Sequence, residues 1–167
     1  LLDTWSGSES FYEETGAVID WDHHQRMVAA EMWIGQNDGY SLNRNNYLVY
    51  FEPESLVTIQ PWDHDYAFLH ASDWGFSWTN PQGRLTSMCL SDPACRAAQI
   101  ARIEDVIEAV DALGFDERFA DTRSMISDYI AADDRRECSD SYVSWYQDII
   151  NNWSYSRSGE LRTMWGL

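Results

Sequence analysis

The sequence predicts an α+β fold that is mostly helical and carries one small β-hairpin. Three observations lead to this class. Apolar residues recur at helical spacing before residue 35 and again after residue 93. Two short runs of aromatic and β-branched residues lie between these segments. Glycine, proline and aspartate residues stand where the segments would begin or end. With 167 residues, of which 44% are hydrophobic, the chain can form one domain with a buried core.

The first predicted helix leads directly into an acidic loop. Asp20 or Asp22 can cap its start, and Gly35 can end it. The helix continues through His24, Met27, Val28, Glu31 and Met32. Because Asp38 follows Gly35 closely, we expect the helix to hold this carboxylate in a fixed position.

The predicted hairpin follows this loop. Its arms are residues 47–51 and 56–60, and residues 52–55 form the turn between them. A second acidic loop, with Asp63 and Asp65, comes directly after the second arm. The hairpin therefore separates two acidic loops.

An aromatic segment, residues 72–81, comes next. Trp74, Phe76 and Trp78 alternate along it as side chains do in a strand. They form either a stacking face for a ligand or an ordinary packed layer, since large aromatic side chains are usually buried.

The remainder of the chain is predicted to be helical. Asp92 and Pro93 give a capping residue followed by proline at the first helical position, and Gly114 ends this helix. Further helices are predicted over residues 121–132, 139–153 and 159–164. We expect these elements to form one compact lobe.

A helix, an acidic loop, a hairpin and a second acidic loop follow one another in the order in which protein kinases present their catalytic groups. In that arrangement, one Asp orients the attacking hydroxyl group, an Asn downstream holds a metal ion, and an Asp after the hairpin binds Mg²⁺. Each residue also has a simpler interpretation. Asp38 before Gly39 is typical of a turn, and Asp63 and Asp65 are typical of a surface turn after proline.

Three stretches resemble the signature of the spore coat protein H (CotH) kinase family, whose members are secreted or surface-associated atypical kinases. They are Asp38-Gly39-Tyr40, Asn45-Asn46-Tyr47-Leu48-Val49-Tyr50 and Pro61-Trp62-Asp63-His64-Asp65. The resemblance implies that residues 1–167 are a portion of a single CotH-like kinase domain, namely the mostly helical C-terminal lobe of an atypical protein-kinase-like fold. It also implies that Asp38 is catalytic, that Asn46 and Asp63 bind the cofactor, and that Asp63, Asp65 and Asn46 bind the metal ion.

The same resemblance implies a function. We expect a secreted atypical protein kinase that transfers the γ-phosphate of ATP to a protein hydroxyl group with the help of Mg²⁺ or Mn²⁺. Its partner would be a protein substrate, such as a surface or coat protein, and its location would be extracellular or at the cell surface. Two alternatives stay open: a catalytically inactive surface or coat binding protein on the same scaffold, and a carbohydrate-binding module in which Asp38, Asp63 and Asp65 bind Ca²⁺.

The basic residues are informative because all 11 of them are arginine and the chain contains no lysine. A protein kinase anchors the phosphates of ATP with a lysine from its N-terminal lobe, beneath a glycine-rich loop. Neither feature precedes Asp38. We therefore expect the N-terminal lobe to lie outside this chain.

The charge of the chain excludes some partners. The 28 acidic residues outnumber the 11 basic ones and give a formal net charge of −17. Such a surface repels nucleic-acid phosphates and anionic membranes. No run of apolar residues approaches the roughly 20 residues of a membrane span.

The three cysteines leave two readings open. Cys89 and Cys95 are spaced so that a turn can bring their sulfurs together, and an oxidising compartment would permit a disulfide. They can equally be two thiols packed as small apolar groups. Cys138 is left over, and the cysteine and histidine spacing does not favour a zinc site.

Overall fold

The computed structural model describes residues 10–51 and 56–167, so the turn predicted at 52–55 lies outside the described residues. The helices are α1 (Phe11–Thr15), α2 (Trp21–Ile34), a 3₁₀ helix (Ala71–Trp74), α3 (Arg84–Ser91), α4 (Pro93–Leu113), α5 (Phe115–Ala132) and α6 (Asp140–Trp165). The strands are β1 (Tyr47–Tyr50) and β2 (Thr58–Pro61). This set of helices with one pair of strands confirms the predicted α+β class. Within the part of the chain that is described, no helix is both long and apolar enough to cross a membrane.

The chain divides into two compact units, Leu1–Val106 and Ile107–Leu167. The first unit contains α1, α2, the two strands, α3 and most of α4. Its core is formed by large buried side chains, among them Phe11, Met32, Leu42, Trp78 and Ile103. The second unit contains the end of α4 with α5 and α6. There Ser158 donates a hydrogen bond of 2.7 Å to the Asp111 carboxylate, and the Arg157 guanidinium lies 4.6 Å above the Trp153 ring.

Helix α2 has the predicted ends. The Asp20 carboxylate accepts a hydrogen bond from the His23 backbone N–H at 3.0 Å, so Asp20 is the N-cap. Gly35 ends the helix in the left-handed conformation, with φ of 65°. The face that includes Val28 and Met32 is fully buried, and this burial fixes the direction in which the chain enters the acidic loop.

The predicted hairpin is confirmed, with ends that differ from the prediction by one or two residues. Tyr47 pairs with Pro61 and Tyr50 pairs with Thr58 in an antiparallel ladder. Val57, expected in the second arm, instead forms a parallel bridge with Ile19 just before α2. The hairpin is therefore attached to the start of the helix that leads into the first acidic loop.

The structure corrects three other expectations. The strand-like reading of residues 72–81 is wrong, because Ala71–Trp74 is a 3₁₀ helix and Trp78 is buried. Helix α3 was not predicted. Helix α5 begins at Phe115 rather than at residue 121.

The break predicted between residues 153 and 159 is also absent, since α6 runs without interruption from Asp140 to Trp165. Glycine inside a helix costs about 1 kcal/mol relative to alanine. Gly159 is nevertheless helical, and the buried side chains of Trp153 and Leu161 on either side of it hold the helix together across that position.

The corner between α3 and α4 is covalently closed. Cys89 and Cys95 form a disulfide with their Cα atoms 5.0 Å apart, which decides between the two readings of these residues. Asp92 caps α4 by accepting hydrogen bonds from the backbone N–H groups of Ala94 at 2.8 Å and Cys95 at 2.9 Å. Its other oxygen accepts from the Tyr12 N–H at 3.0 Å, which connects this corner to α1.

Removing this disulfide is expected to destabilise the first unit. For a bridge between residues 6 apart in sequence, the loss of loop-closure entropy predicts about 2 to 3 kcal/mol in the free energy of unfolding. Urea unfolding of Cys89→Ser/Cys95→Ser, followed by tryptophan fluorescence, measures this loss. A reducing agent should lower the stability of the wild type and of Cys138→Ser but not that of the double variant. Equal stability of the oxidised wild type and the double variant would contradict the prediction.

Candidate active site

The first acidic loop, residues 35–46, connects the end of α2 to the start of β1. The backbone N–H groups of Gly35 and Gln36 both donate to the Glu31 carbonyl, the second at 3.0 Å. Gln36 and Asn37 are almost completely buried, whereas the side chain of Asp38 is partly exposed. The start of the loop is therefore buried in the core, and Asp38 lies at the protein surface.

Three amide groups surround the Asp38 carboxylate. Asn43 donates to its Oδ1 at 2.5 Å, and Asn45 and Asn46 donate to its Oδ2 at 3.0 and 2.9 Å. The sequence favoured Asn46 over its neighbours as the functional asparagine, and the structure brings all three to Asp38. Because each donor is a short side chain from the same loop, the orientation of the carboxylate is closely restrained.

The second acidic loop is connected to the first through the backbone of Asp63. Its carbonyl oxygen accepts hydrogen bonds from the Gln36 side chain at 2.7 Å and the Asn46 side chain at 3.4 Å. In addition, the Trp62 N–H donates to the Asn46 carbonyl at 3.1 Å. Asp38, Asn46 and Asp63 therefore belong to one hydrogen-bonded cluster, although they are up to 25 positions apart in the chain.

The two carboxylates of the second loop are exposed and have no protein partner among the described residues. Asp63 and Asp65 are exposed, and neither side chain forms a hydrogen bond or ion pair with any residue that the structure describes. Asp65 has no bond to the Asp38 cluster, unlike Asp63. Free carboxylate oxygens of this kind are available to a cation or to solvent.

Unusual backbone geometry is concentrated in these loops. Among the described residues, four that are not glycine have positive φ: Arg44 (58°), Asn46 (47°), Asp63 (54°) and Phe68 (61°). Asparagine and aspartate tolerate the left-handed region better than other residues, whereas arginine and phenylalanine adopt it at a cost. Such strain persists only where the surroundings hold it, and it is enriched at functional sites.

The donor groups fit a magnesium or manganese ion that is bound together with phosphates. Mg²⁺ is usually held by one or two carboxylates and by phosphate oxygens rather than by a complete set of protein ligands. The amide N–H₂ of Asn46 faces Asp38, which leaves its Oδ1 as an acceptor, and the Asp63 carboxylate is open. In the described ranges, no group of three or more His, Cys, Asp or Glu side chains could hold a metal ion.

Helix α3 supports the first acidic loop from the other side. The Ser41 carbonyl accepts hydrogen bonds from the N–H groups of Gln82 and Gly83, each at 2.9 Å. The Tyr40 hydroxyl accepts from the Leu85 N–H at 2.9 Å. A Cβ atom on Gly83 would lie 2.6 Å from the Tyr40 carbonyl oxygen, so the close approach of α3 requires glycine there.

A buried polar layer lies between α2 and α3. His24 and Ser41 each form a hydrogen bond with the Thr86 hydroxyl, at 3.2 and 3.1 Å. Burial, together with the neighbouring His23, lowers the pKa of His24 to about 3, so its ring is neutral at physiological pH. Burial also raises the pKa of the Glu31 carboxyl group to about 8, against the opposing effect of the Ser41 hydroxyl.

An open cleft of about 560 Å³ lies beside this layer, between α2 and the end of β2. Its lining includes Asp22, Arg26, Glu31, Gln60 and His64. Asp22 and Arg26 form an ion pair with each other on the cleft wall. The cleft thus reaches from the helix surface to the residue between Asp63 and Asp65.

Sequence reasoning missed two residues that contact this site. Gln36 holds the Asp63 carbonyl, and a polar pair directly after a helix-ending glycine was the available signal. Glu31 was included among the residues along the helix but given no role. An acid within a stripe of buried apolar residues is itself unusual and could have identified it.

Comparisons with known proteins gave one result. Residues 3–158 match the family model described as CotH kinase protein, which covers most of the chain. No curated protein and no solved structure matched the chain.

The buried His24 ring predicts a loss of stability in acid. Its native pKa of about 3 lies below the ordinary value of 6.5, so an unfolded chain binds a proton there that the native protein does not. The stabilisation is present above pH 6.5 and is lost as the pH falls towards 3, by up to about 1.4 kcal/mol per pH unit. His24→Gln should therefore show a shallower decline in unfolding free energy than the wild type between pH 6.5 and 4.

Urea unfolding at half-unit pH steps measures this difference. His64→Gln, a substitution of an exposed histidine, is the matched control. Parallel curves for His24→Gln and the wild type would contradict the prediction.

Proposed function

The chain belongs to the CotH kinase protein family, and we propose that it is part of a secreted, metal-dependent atypical protein kinase that transfers the γ-phosphate of ATP to a protein hydroxyl group. One observation carries most of this proposal. A carboxylate restrained by three amides, Asp38, shares the Asn46 side chain with the loop that presents the Asp63 carboxylate. A positioned acceptor group beside an open set of oxygen ligands is what phosphoryl transfer requires of a protein.

Each residue has a role in this proposal. Asp38 accepts the hydrogen bond of the attacking hydroxyl group, orients it towards the phosphate and takes its proton late in the reaction. The Asp63 carboxylate and the Asn46 amide oxygen hold Mg²⁺ or Mn²⁺, with Asp65 as an additional carboxylate. When bound, the ion neutralises charge on the phosphates.

The hydrogen bonds of Asn46 explain why the two roles belong together. Its amide N–H₂ contacts both the Asp38 carboxylate and the Asp63 carbonyl. A shift of the metal-binding group would therefore move the group that orients the acceptor. This link keeps the acceptor hydroxyl and the phosphate in a fixed relative position during transfer.

The disulfide supports a location outside the cytosol. Disulfides form and persist in oxidising compartments, and the Cys89–Cys95 bridge is fully buried in the first unit. The protein substrate is then a secreted or surface protein, including a coat protein where one is present.

Two substitutions separate the proposed roles. In the full-length protein, Asp38→Asn should leave metal-dependent ATP binding nearly unchanged and lower phosphate transfer about 100-fold or more, because the orienting base is lost. Asp63→Asn should lose metal-dependent ATP binding as well as transfer. Transfer is measured with γ-labelled ATP, Mg²⁺ or Mn²⁺ and secreted proteins as acceptors, and binding is measured by calorimetry.

Asp73→Asn, which changes an exposed acid of the nearby 3₁₀ helix, is the matched control and should keep both activities. If both site variants transfer phosphate as the wild type does, the site has been assigned to the wrong loops. If the wild type binds the metal ion but transfers no phosphate to any acceptor, including itself, the protein acts by binding alone.

A further inference from the structure

We propose that Glu31 is a positioning residue that holds the backbone at Gly39, the residue directly after Asp38, in place from the core side. This inference rests on the proposed function of Asp38. It assigns a part in the reaction to a side chain that touches neither substrate nor metal.

The first argument is the contact between Glu31 and Gly39. A Cβ atom on Gly39 would lie 2.5 Å from Oε1, 3.0 Å from Cδ and 3.2 Å from Oε2 of Glu31. The whole carboxyl group therefore lies directly against the Gly39 backbone. Any larger residue at position 39 would have to displace it.

The second argument concerns the backbone of Glu31. Its carbonyl accepts the N–H groups of both Gly35 and Gln36, which end α2 and begin the loop. Gln36 in turn donates to the Asp63 carbonyl. Glu31 thus contacts the first acidic loop at its start and again at Gly39, and Gln36 connects it to the second loop.

The third argument is the setting of the carboxyl group. Glu31 is only 2% exposed, and the Ser41 hydroxyl, the one polar group that lowers its pKa, is hydrogen-bonded to Thr86 at 3.1 Å, so neither Glu31 oxygen has a hydrogen-bond partner of good geometry among the described residues. A buried polar group without hydrogen bonds lowers the stability of the fold, so its presence here calls for an explanation. An apolar side chain of similar length would fill the same space without that cost.

The charged and titratable groups around Glu31 leave its carboxyl without a cation. On α2, His24 is buried and neutral, while Arg26 lines the same cleft but pairs with Asp22. From the loops, Asp38 lies beyond Gly39 with its carboxylate bound by amides, and His64 lines the cleft. His23, which also lines the cleft, bonds the carbonyl of Ile59.

Because Glu31 is buried and has no cation beside it, its carboxyl group keeps its proton. With burial raising its pKa to about 8, from an ordinary value of 4.5, the carboxyl group is neutral at physiological pH. Deprotonation would place an uncompensated charge against the backbone of Gly39, the residue that follows Asp38. The support of the loop should therefore weaken as the pH rises through about 8.

Glu31→Gln keeps the size of the side chain and fixes it in a neutral form. At pH 7, we expect its kcat to stay within about 2-fold of the wild type. In the wild type, kcat should fall as the pH rises through 8, and Glu31→Gln should lack this decline. An identical alkaline decline in both proteins would overturn the proposal.

Glu31→Ala removes the support. Its kcat at pH 7 should fall at least about 10-fold, with the KM for ATP nearly unchanged, because misplacement of a reacting group affects the chemical step. Gln25→Ala is the matched control, since Gln25 is equally buried on α2 but contacts the Cys95 region rather than the loop. Gln25→Ala should lose thermal stability and keep kcat. An unchanged kcat in a folded Glu31→Ala would count against the proposal.

A readout independent of activity separates this inference from the proposed function. In protein labelled with ¹⁵N-glycine, the Gly39 amide resonance can be assigned by its absence in Gly39→Ala. It should titrate with a midpoint near pH 8 in the wild type and not in Glu31→Gln. If the wild type transfers no phosphate but this titration is seen, only the proposed function fails. A Gly39 resonance that does not titrate overturns the inference, even if the kinase is active.

Discussion

The relative position of the two acidic loops depends on the Asp63 carbonyl oxygen. It receives the amide groups of Gln36 and Asn46, one from the end of α2 and one from the entrance to the hairpin. The left-handed backbone at Asn46 and Asp63 is compatible with these bonds, and short polar residues adopt it at the lowest cost. Further along the second loop, the Phe68 N–H donates to the Ile34 carbonyl at 2.5 Å and the Asn37 side chain donates to the His70 carbonyl at 3.2 Å, so additional bonds support this junction.

The first acidic loop is held from two sides by helices that differ in how they hold it. Helix α2 contacts the loop through the Glu31 carboxyl group at Gly39 and through the His24 ring, whose centroid lies 5.8 Å from that of Tyr40. Helix α3 instead contributes the Leu85 backbone N–H and the Thr86 hydroxyl. The disulfide and the Asp92 cap fix the end of α3 to the start of α4. A buried polar layer of this kind specifies position at some cost in stability.

The sequence predicted the elements that local chemistry determines. Asp20 and Gly35 gave the ends of α2, and alternating aromatic and β-branched residues gave the hairpin. Helix α3 escaped detection because it has only 8 residues and depends on the disulfide corner and on the close approach at Gly83. The contacts of Asp38 with its asparagines were foreseeable from their order, whereas the burial of Glu31 is a tertiary property that helical spacing alone does not reveal. The catalytic and metal-binding roles stay predictions.

The choice of amides around Asp38 has a consequence for its charge. In the part of the chain that is described, every side-chain donor to this carboxylate is an asparagine, although the chain has 11 arginines. A guanidinium group would orient the carboxylate equally well, but it would also neutralise it. Amides restrain Asp38 without placing a positive charge beside it, which suits its proposed role of orienting a hydroxyl group. The neutral form of Glu31 is consistent with this arrangement, because it adds no second negative charge behind Gly39.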